Sequence, residues 1–243
     1  MKLVLIGYGK MGQAVAEAAK SRGHEIVLTI NSQNSQELTS ANLKQADAAI
    51  EFSQPQLARL HVARCLEAGV PVVCGTTGWN EELKQLSQHI QESAQGSMVY
   101  ASNFSIGVNI FFEINKKLAA LMQAHPEYEP SITETHHIQK KDVPSGTALS
   151  LAEQMLEYMP HKTRWALNDA NDTRVLPVFA HRREDITGIH CVRYHSEVDD
   201  IEITHRAHSR KGFALGAVLA AEFLVKQKPG VYGMADVLHL NGR

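Results

Sequence analysis

Residues 1–12 read MKLVLIGYGKMG, and the order of features in that stretch sets the architecture of the first half of the chain. Lys2 to Ile6 form a short, continuous apolar run, the pattern of a strand buried on both faces, and the run ends at Gly7-x-Gly9-x-x-Gly12. Met11, Val15, Ala18 and Ala19 then recur at helical spacing up to Gly23, and a second apolar run, EIVLTI, follows at 25–30. Strand, glycine-rich turn, helix and strand in this order form the context in which such a glycine pattern signals dinucleotide binding. A side chain at the tight turn would block close approach of the backbone to a pyrophosphate, which sits on the N–H groups at the helix N-terminus. Gly12 would let the helix pack close to the strand.

The acidic residue that usually grips the ribose at the end of the second strand is missing. The stretch TINSQNSQ offers Asn31, Ser32 and Gln33 instead. An amide does not repel a 2′-phosphate, and no arginine stands in the immediate stretch to attract one, so NADH and NADPH both remain open.

Alternation continues beyond this unit. DAAIEFS (47–53) reads as a buried strand, 57–68 as a helix, VPVVCGTTG (70–78) as strand plus turn, 81–93 as a helix, and SMVYASNFS (97–105) as strand plus turn. Such alternation predicts a parallel sheet with right-handed crossovers. Three strands end in polar or glycine-rich turns, at 53–55, 75–78 and 102–104, where a nicotinamide would lie in an open parallel sheet.

The second half is built differently. After a helix over 108–123 come strands with longer loops, at 131–138, 174–183, 188–196 and 200–208, with a helix over 148–158. Ile201, Ile203 and His205 alternate on one face, which suits a mixed or antiparallel sheet covered by helices on one side and leaves the other face in need of a cover. A last apolar helix, 213–225, is expected to return to the first domain. The fold class is therefore α/β, a parallel-sheet dinucleotide-binding domain plus a second α+β domain with an open mixed sheet.

Composition narrows the function further. The 243 residues, 44% hydrophobic, are enough for a substantial core. With a formal net charge of −2 there is no global basic field for nucleic acid. Cys65, Cys74 and Cys191 form no C-x-x-C pair, which points to reduced thiols in a cytosol rather than a disulfide framework or zinc ribbon. The apolar opening is too short for a signal-peptide core, and no apolar run approaches the roughly 18 residues of a membrane span, so neither a targeting nor a membrane segment is expected.

The densest chemistry lies at 133–148, TETHHIQKKDVPSGTA. Ser145-Gly146-Thr147 precedes a helical pattern and can form an anion-binding helix N-terminus, with Lys140 and Lys141 adding cationic charge just before it. A carboxylate is the natural guest. His136 and His137 lie on a strand, so they point to opposite faces and should not share one role. No third ligand at a familiar spacing accompanies them, and no metal is expected. Cofactor and acid in one chain suggest hydride transfer completed by proton transfer.

Taken together, IGYGKMG, AAIEFSQP, VVCGTTG, ASNFSIGVN, ETHHIQKKDVPSGTA, GIH (188–190), EITHRAHSR, FALGA and GVYGMADVL run collinearly over nearly the whole chain and resemble the 4-hydroxy-tetrahydrodipicolinate (dihydrodipicolinate) reductase family of the diaminopimelate route to lysine. The resemblance implies a Rossmann domain from 1–104 plus 211–243 and an inserted substrate-binding and oligomerisation domain at 105–210. It implies a cytoplasmic NADH- or NADPH-dependent homotetramer acting on a small dicarboxylate, with the uncovered sheet face as the assembly surface. By resemblance, Gly7, Tyr8, Gly9, Lys10, Met11, Gly12, Asn31, Gly75, Thr76, Thr77, Ala101, Ser102, Asn103 and Phe104 contact the nucleotide. His136 and Lys140 are the acid candidates, and His137, Lys140, Ser145, Gly146 and Thr147 hold the substrate carboxylates. Ile138 stands where many relatives carry a basic or polar residue, and Asn31 where an acidic one is frequent. The rival functions are another two-domain reductase of a small carboxylate, such as an amino-acid dehydrogenase, and a non-catalytic NAD(H) sensor. A sensor would need an effector module, and no basic helix-turn-helix pattern is visible.

Overall fold

In the computed structural model, which describes residues 1–169 and 171–240, the chain divides into two compact units, Met1–Ile106 with Arg210–Arg243, and Gly107–Ser209. Residue 170 and residues 241–243, which the expected domain ranges include, lie outside the described residues.

The first unit is a six-stranded, fully parallel sheet in the order β11-β5-β4-β3-β1-β2. Its strands are β1 (Lys2–Ile6), β2 (Glu25–Ile30), β3 (Ala48–Glu51), β4 (Val72–Cys74), β5 (Ser97–Tyr100) and β11 (Gly230–Tyr232). The apolar runs are continuous because both faces are covered. Leu3, Leu5, Ile50, Val73 and Val99 pack with Val15 and Ala19 of α1 (Lys10–Ser21) and Ala217, Ala221 and Leu224 of α7 (Lys211–Leu224). Val4, Ile6, Ala49, Val72 and Met98 pack the other way, with Val62 and Cys65 of α3 (Pro55–Glu67) and Ile90 of α4 (Asn80–Ser93). The apolar 213–225 helix thus belongs to the core of the first unit. From β1 the chain moves out to β2 and then returns to β3 on the other side, so the Gly7–Gly12 turn lies at the switch point where open parallel sheets take their ligands.

The second unit is a five-stranded mixed sheet, β10-β9-β6-β8-β7, with β6 antiparallel to β9 and parallel to β8. Its strands are β6 (Glu129–His136), β7 (Arg164–Leu167), β8 (Val175–Arg182), β9 (Gly188–His195) and β10 (Asp200–Ala207). Ile132, Val178, Val192 and Tyr194 pack under Phe111 and Ala119 of α5 (Ile106–Met122) and Leu151, Ala152 and Met155 of α6 (Gly146–Tyr158). On β6 and β9 the opposite face carries Ser131, Thr133, Thr135, Ile189, Cys191 and Arg193, all half-buried. On these two strands the opposite face is thus mixed, whereas on β8 the alternate positions to Leu176 and Val178 place Val175, Pro177 and Phe179 on it, so its apolar part lies toward β8. The short elements β7, β11, α2 (Ser40–Leu43) and α8 (Met234–Val237) are additions to the pattern read from periodicity. No helix among the described residues is long and apolar enough to cross a membrane.

Close helix packing in the first unit depends on one glycine. A Cβ on Gly216 of α7 would stand 1.7 Å from the Phe104 carbonyl oxygen, whereas one on Gly212 of the same helix would meet nothing nearer than 3.8 Å. Gly216→Ala should destabilise the protein by about 1–3 kcal/mol or more through overpacking, and Gly212→Ala should be neutral or stabilising by under about 1 kcal/mol. Urea unfolding midpoints check this; equal midpoints for the two variants would contradict the close approach.

Candidate active site

At the carboxyl end of the first sheet, the turn after β1 is shaped by backbone approach. Gly7 has φ +91°, its N–H donates to the Ile30 carbonyl at 2.8 Å, and a Cβ there would lie 1.9 Å from the Phe52 oxygen. A Cβ on Gly12 would lie 2.1 Å from the Gly7 oxygen, while one on Gly9 would meet no protein atom within 4 Å. Gly7 and Gly12 are thus required by the protein itself, and Gly9 leaves open space at the N-terminus of α1. That helix has no acidic residue in its first turn and no side-chain cap, which suits a phosphate on its N–H groups. Tyr8 and Met11 are half-buried and Lys10 is exposed beside this turn. The exposed Asn31 is fixed by an Asx turn: its Oδ1 accepts from the Gln33 N–H at 2.8 Å, leaving Nδ2 as the outward donor.

The turns after β3 and β4 are tied together by a buried carboxylate that periodicity did not single out. Glu51 is fully buried and takes hydrogen bonds from the Ser53 N–H and hydroxyl and from the Cys74 thiol. The Ser53 N–H also donates to Thr76 Oγ1 at 2.8 Å. Burial pushes the Glu51 carboxyl up, but the bonds from His61, Ser53, Thr76 and Cys74 outweigh it and leave the carboxyl below its ordinary value. Ser53 Oγ and Glu51 Oε1 approach the same His61 nitrogen, Nδ1, at 3.0 and 3.4 Å, so the trio is not a nucleophile relay, which needs opposite ring nitrogens. Gly75 has the Phe52 ring 2.0 Å from where its Cβ would stand. Thr76 is buried with its hydroxyl committed to Ser53, while Thr77 and Ser102 are exposed and Ala101 is half-exposed. Asn103 Oδ1 accepts from the Ser105 N–H, and the Phe104 ring is buried edge-on to Phe52, so what Phe104 can offer a nucleotide is backbone.

In the second unit the 133–148 segment forms a single cluster around Glu134. This residue lies on the helix-covered face of β6, between Ile132 and His136 and directly opposite His190 of β9. Its carboxylate has no exposed surface. Oε1 accepts from Arg182 of β8 at 3.2 Å and Oε2 from the Ser145 N–H at 3.0 Å, with His190 Nε2 at 3.7 Å and His136 Nδ1 at 3.5 Å. Burial pushes the Glu134 carboxyl up, but the adjoining His190 ring and the Ser145 hydroxyl and N–H hold it at about 2. The Ser145 hydroxyl caps α6 by accepting from the Ala148 N–H at 3.2 Å and lies 3.0 Å from His190 Nε2. Beyond this cap, Gly146 is exposed and a Cβ there would meet nothing within 4 Å; Thr147 is half-exposed beside it. The pinned serine therefore presents a helix N-terminus outward.

His136 is buried at the end of β6, its ring 5.0 Å from that of His190, with Nδ1 lacking a hydrogen-bond partner. Its room is made by Gly188, where a Cβ would press on His136 Nε2 at 3.2 Å. Burial, then His190, and further Lys140 and Arg182, push His136 down to about 4 against the pull of Glu134. His137, the next residue, falls on the opposite parity and is half-exposed. Lys140 is half-exposed and bonds Asp142 at 2.8 Å; Lys141 and Ile138 are exposed. Glu134, His136 and His190 have ligand-type atoms within 4.8 Å of one another, yet both Glu134 oxygens are already taken, one by a guanidinium, which does not suit a cation. Glu134 and Arg182 were not singled out by sequence, and His190 appeared only within the GIH motif. The signal for Glu134 was a charged residue at an apolar strand position.

Family models described as Dihydrodipicolinate reductase, N-terminus, and Dihydrodipicolinate reductase, C-terminus, match residues 1–104 and 107–238. The chain belongs to the dihydrodipicolinate reductase family. It is 45% identical over 238 residues to the 4-hydroxy-tetrahydrodipicolinate reductase of Christiangramia forsetii, covering 98% of each chain. To the Methanopyrus kandleri enzyme of the same name it is 38% identical over 199 residues, 80% of this chain and 72% of that one. The dipicolinate-bound dihydrodipicolinate reductase from Paenisporosarcina sp. TG-14 shares its fold, with a TM-score of 0.76 at 23% identity over 97% of this chain and 98% of that one. The N-terminal part of a dihydrodipicolinate reductase is a nucleotide-binding Rossmann domain, and its ligand class is a pyridine nucleotide.

The histidine environment yields a pH dependence. In the unfolded chain His136 takes up a proton near pH 6.5, whereas the folded protein resists it down to about 4, so stability present above pH 6.5 is lost as pH falls through that window. The slope assignable to His136 is about 1.4 kcal/mol per pH unit between these limits. Urea denaturation at pH 4.5–6.5 should show a shallower loss in His136→Gln than in the parent; parallel curves would contradict a neutral buried imidazole.

Proposed function

We propose that the protein is an NAD(P)H-dependent 4-hydroxy-tetrahydrodipicolinate reductase that forms tetrahydrodipicolinate in the cytoplasm on the diaminopimelate route to lysine. The observation that carries this reading is the Glu134-centred cluster, which gathers a lysine, a histidine and an outward helix N-terminus from one short segment of a family member. The 1–104 and 211–243 segments serve as the dinucleotide-binding domain and 105–210 as the substrate-binding domain.

Loss of water from the 4-hydroxy substrate gives the cyclic, conjugated imine, and a bound nicotinamide nucleotide would supply the hydride that adds to its C4. The Gly7–Gly12 turn and the N-terminus of α1 hold its pyrophosphate, with the turns at 75–77 and 101–104 beside it. Asn31 Nδ2 donates to the ribose without repelling a 2′-phosphate, so both NADH and NADPH are accepted. On the substrate side, Ser145, Gly146 and Thr147 hold a carboxylate at the N-terminus of α6, helped by His137 and by the Lys140 ammonium. Electron density displaced by the hydride moves toward the ring nitrogen and C3, and an acid must deliver a proton there. Because burial keeps His136 neutral near pH 7, the proton falls to Lys140, which exchanges Asp142 for the substrate. A bound dicarboxylate would raise the His136 pKa and make it the second donor. The free cysteines fit a reducing compartment. The mixed sheet with one uncovered face fits assembly into a homotetramer, and light scattering that reports a 26.9 kDa monomer would contradict that.

NAD(P)H oxidation with freshly generated product of dihydrodipicolinate synthase tests the reading. Oxidation of both nucleotides is expected, and Asn31→Asp should shift preference toward NADH. Lys140→Ala should lower kcat by roughly 10²-fold and raise the substrate KM while leaving nucleotide affinity unaltered. A parent protein without activity would overturn the reaction, and an unimpaired Lys140→Ala enzyme would overturn the lysine's role.

A further inference from the structure

Lys140 sits in a segment that burial does little to hold. Ile138, Gln139, Lys141, Asp142 and Val143 are all exposed, and the local turn bond runs from the Lys140 N–H to the His137 carbonyl at 3.1 Å. A proton donor on so open a loop needs another restraint, since displacement by about 1 Å can cost roughly 10²-fold in rate.

The restraint comes from Arg182 at the end of β8. Its Nε donates to the Lys140 carbonyl at 3.3 Å and its Nη2 to the Asp142 carbonyl at 2.7 Å. Nη1 donates to Glu134 Oε1 at 3.2 Å and to the His181 carbonyl at 2.9 Å. The two loop carbonyls belong to the residues whose side chains form the Lys140–Asp142 pair. One planar guanidinium therefore links the backbone of the donor loop to a carboxylate with no exposed surface. A lysine ammonium, a compact point charge, lacks this fork.

We propose that Arg182 is a positioning residue for Lys140: anchored on buried Glu134, its guanidinium fixes the backbone from which the proton-donating lysine reaches the substrate. This rests on the reductase reading above. The role lies in the geometry of the fork, not in positive charge offered to the substrate.

Arg182→Lys keeps the charge and loses the fork, while Arg182→Gln loses both; since each weakens the compensation of buried Glu134, circular dichroism and unfolding midpoints accompany the kinetics, and only folded variants are compared. Steady-state kinetics should show kcat lowered by roughly 10- to 100-fold in both variants, with KM for the nucleotide unaltered. In the Lys140→Ala background, Arg182→Lys should add little, since residues acting as one unit are non-additive. Three results would overturn the inference: an Arg182→Lys enzyme within about two-fold of the parent, one whose activity stands well above that of Arg182→Gln, or an undiminished effect in the Lys140→Ala background. The parent and Lys140→Ala enzymes, measured in the same series, show failure of the reductase reading without reference to Arg182.

Discussion

A carboxylate with no exposed surface, Glu134, lies on the covered face of the second sheet, and the arrangement around it follows from the cost of keeping it there. An unpaired charge in such a place would cost several kcal/mol or would be neutralised. Here it is compensated by one Arg182 N–H on one oxygen and the Ser145 N–H on the other, with His190 alongside. Each compensating group has a second task. Arg182 holds the carbonyls of the loop that carries Lys140, Ser145 caps α6 and so aims its first turn outward, and His190 packs against His136. Hydrogen bonding of one buried group thereby becomes the placement of a lysine-bearing loop and of an outward helix N-terminus.

The first unit uses the same logic with backbone as its material. Gly7 and Gly12 permit approaches that any Cβ would block, and Glu51 joins the turns after β3 and β4 through Ser53, Thr76 and Cys74. In both units a carboxylate buried near a strand end organises the loops beyond it.

Much of this was legible in the sequence because it is local. The continuous apolar runs, the glycine turn, the helical periodicities and the 133–148 segment each declare themselves within a few residues. The mixed second sheet followed from the alternation on 200–208. What escaped notice depends on partners distant in the chain. Glu134 could be seen as a charge at an apolar parity position, but its meaning required Arg182, 48 residues on, and His190 on the opposite strand. The short edge strands β7 and β11 are too brief to show a period and exist by pairing with β8 and β5. The face said to need a cover is polar along β6, with Ser131, Thr133 and Thr135, and apolar along β8, with Val175, Pro177 and Phe179, a division that alternation on 200–208 alone could not show.

The organising role of Glu134 can be tested by replacing one oxygen. In Glu134→Gln the side chain keeps a single acceptor, so its amide must face either the Arg182 guanidinium or the Ser145 N–H, donor against donor. Calorimetric titration with dipicolinate, the ligand held by the Paenisporosarcina enzyme, reads the outcome directly. Affinity should fall by about ten-fold or more while NADH binding and the circular dichroism spectrum stay as in the parent. Unchanged dipicolinate affinity in the folded variant would contradict the organising role of the buried carboxylate.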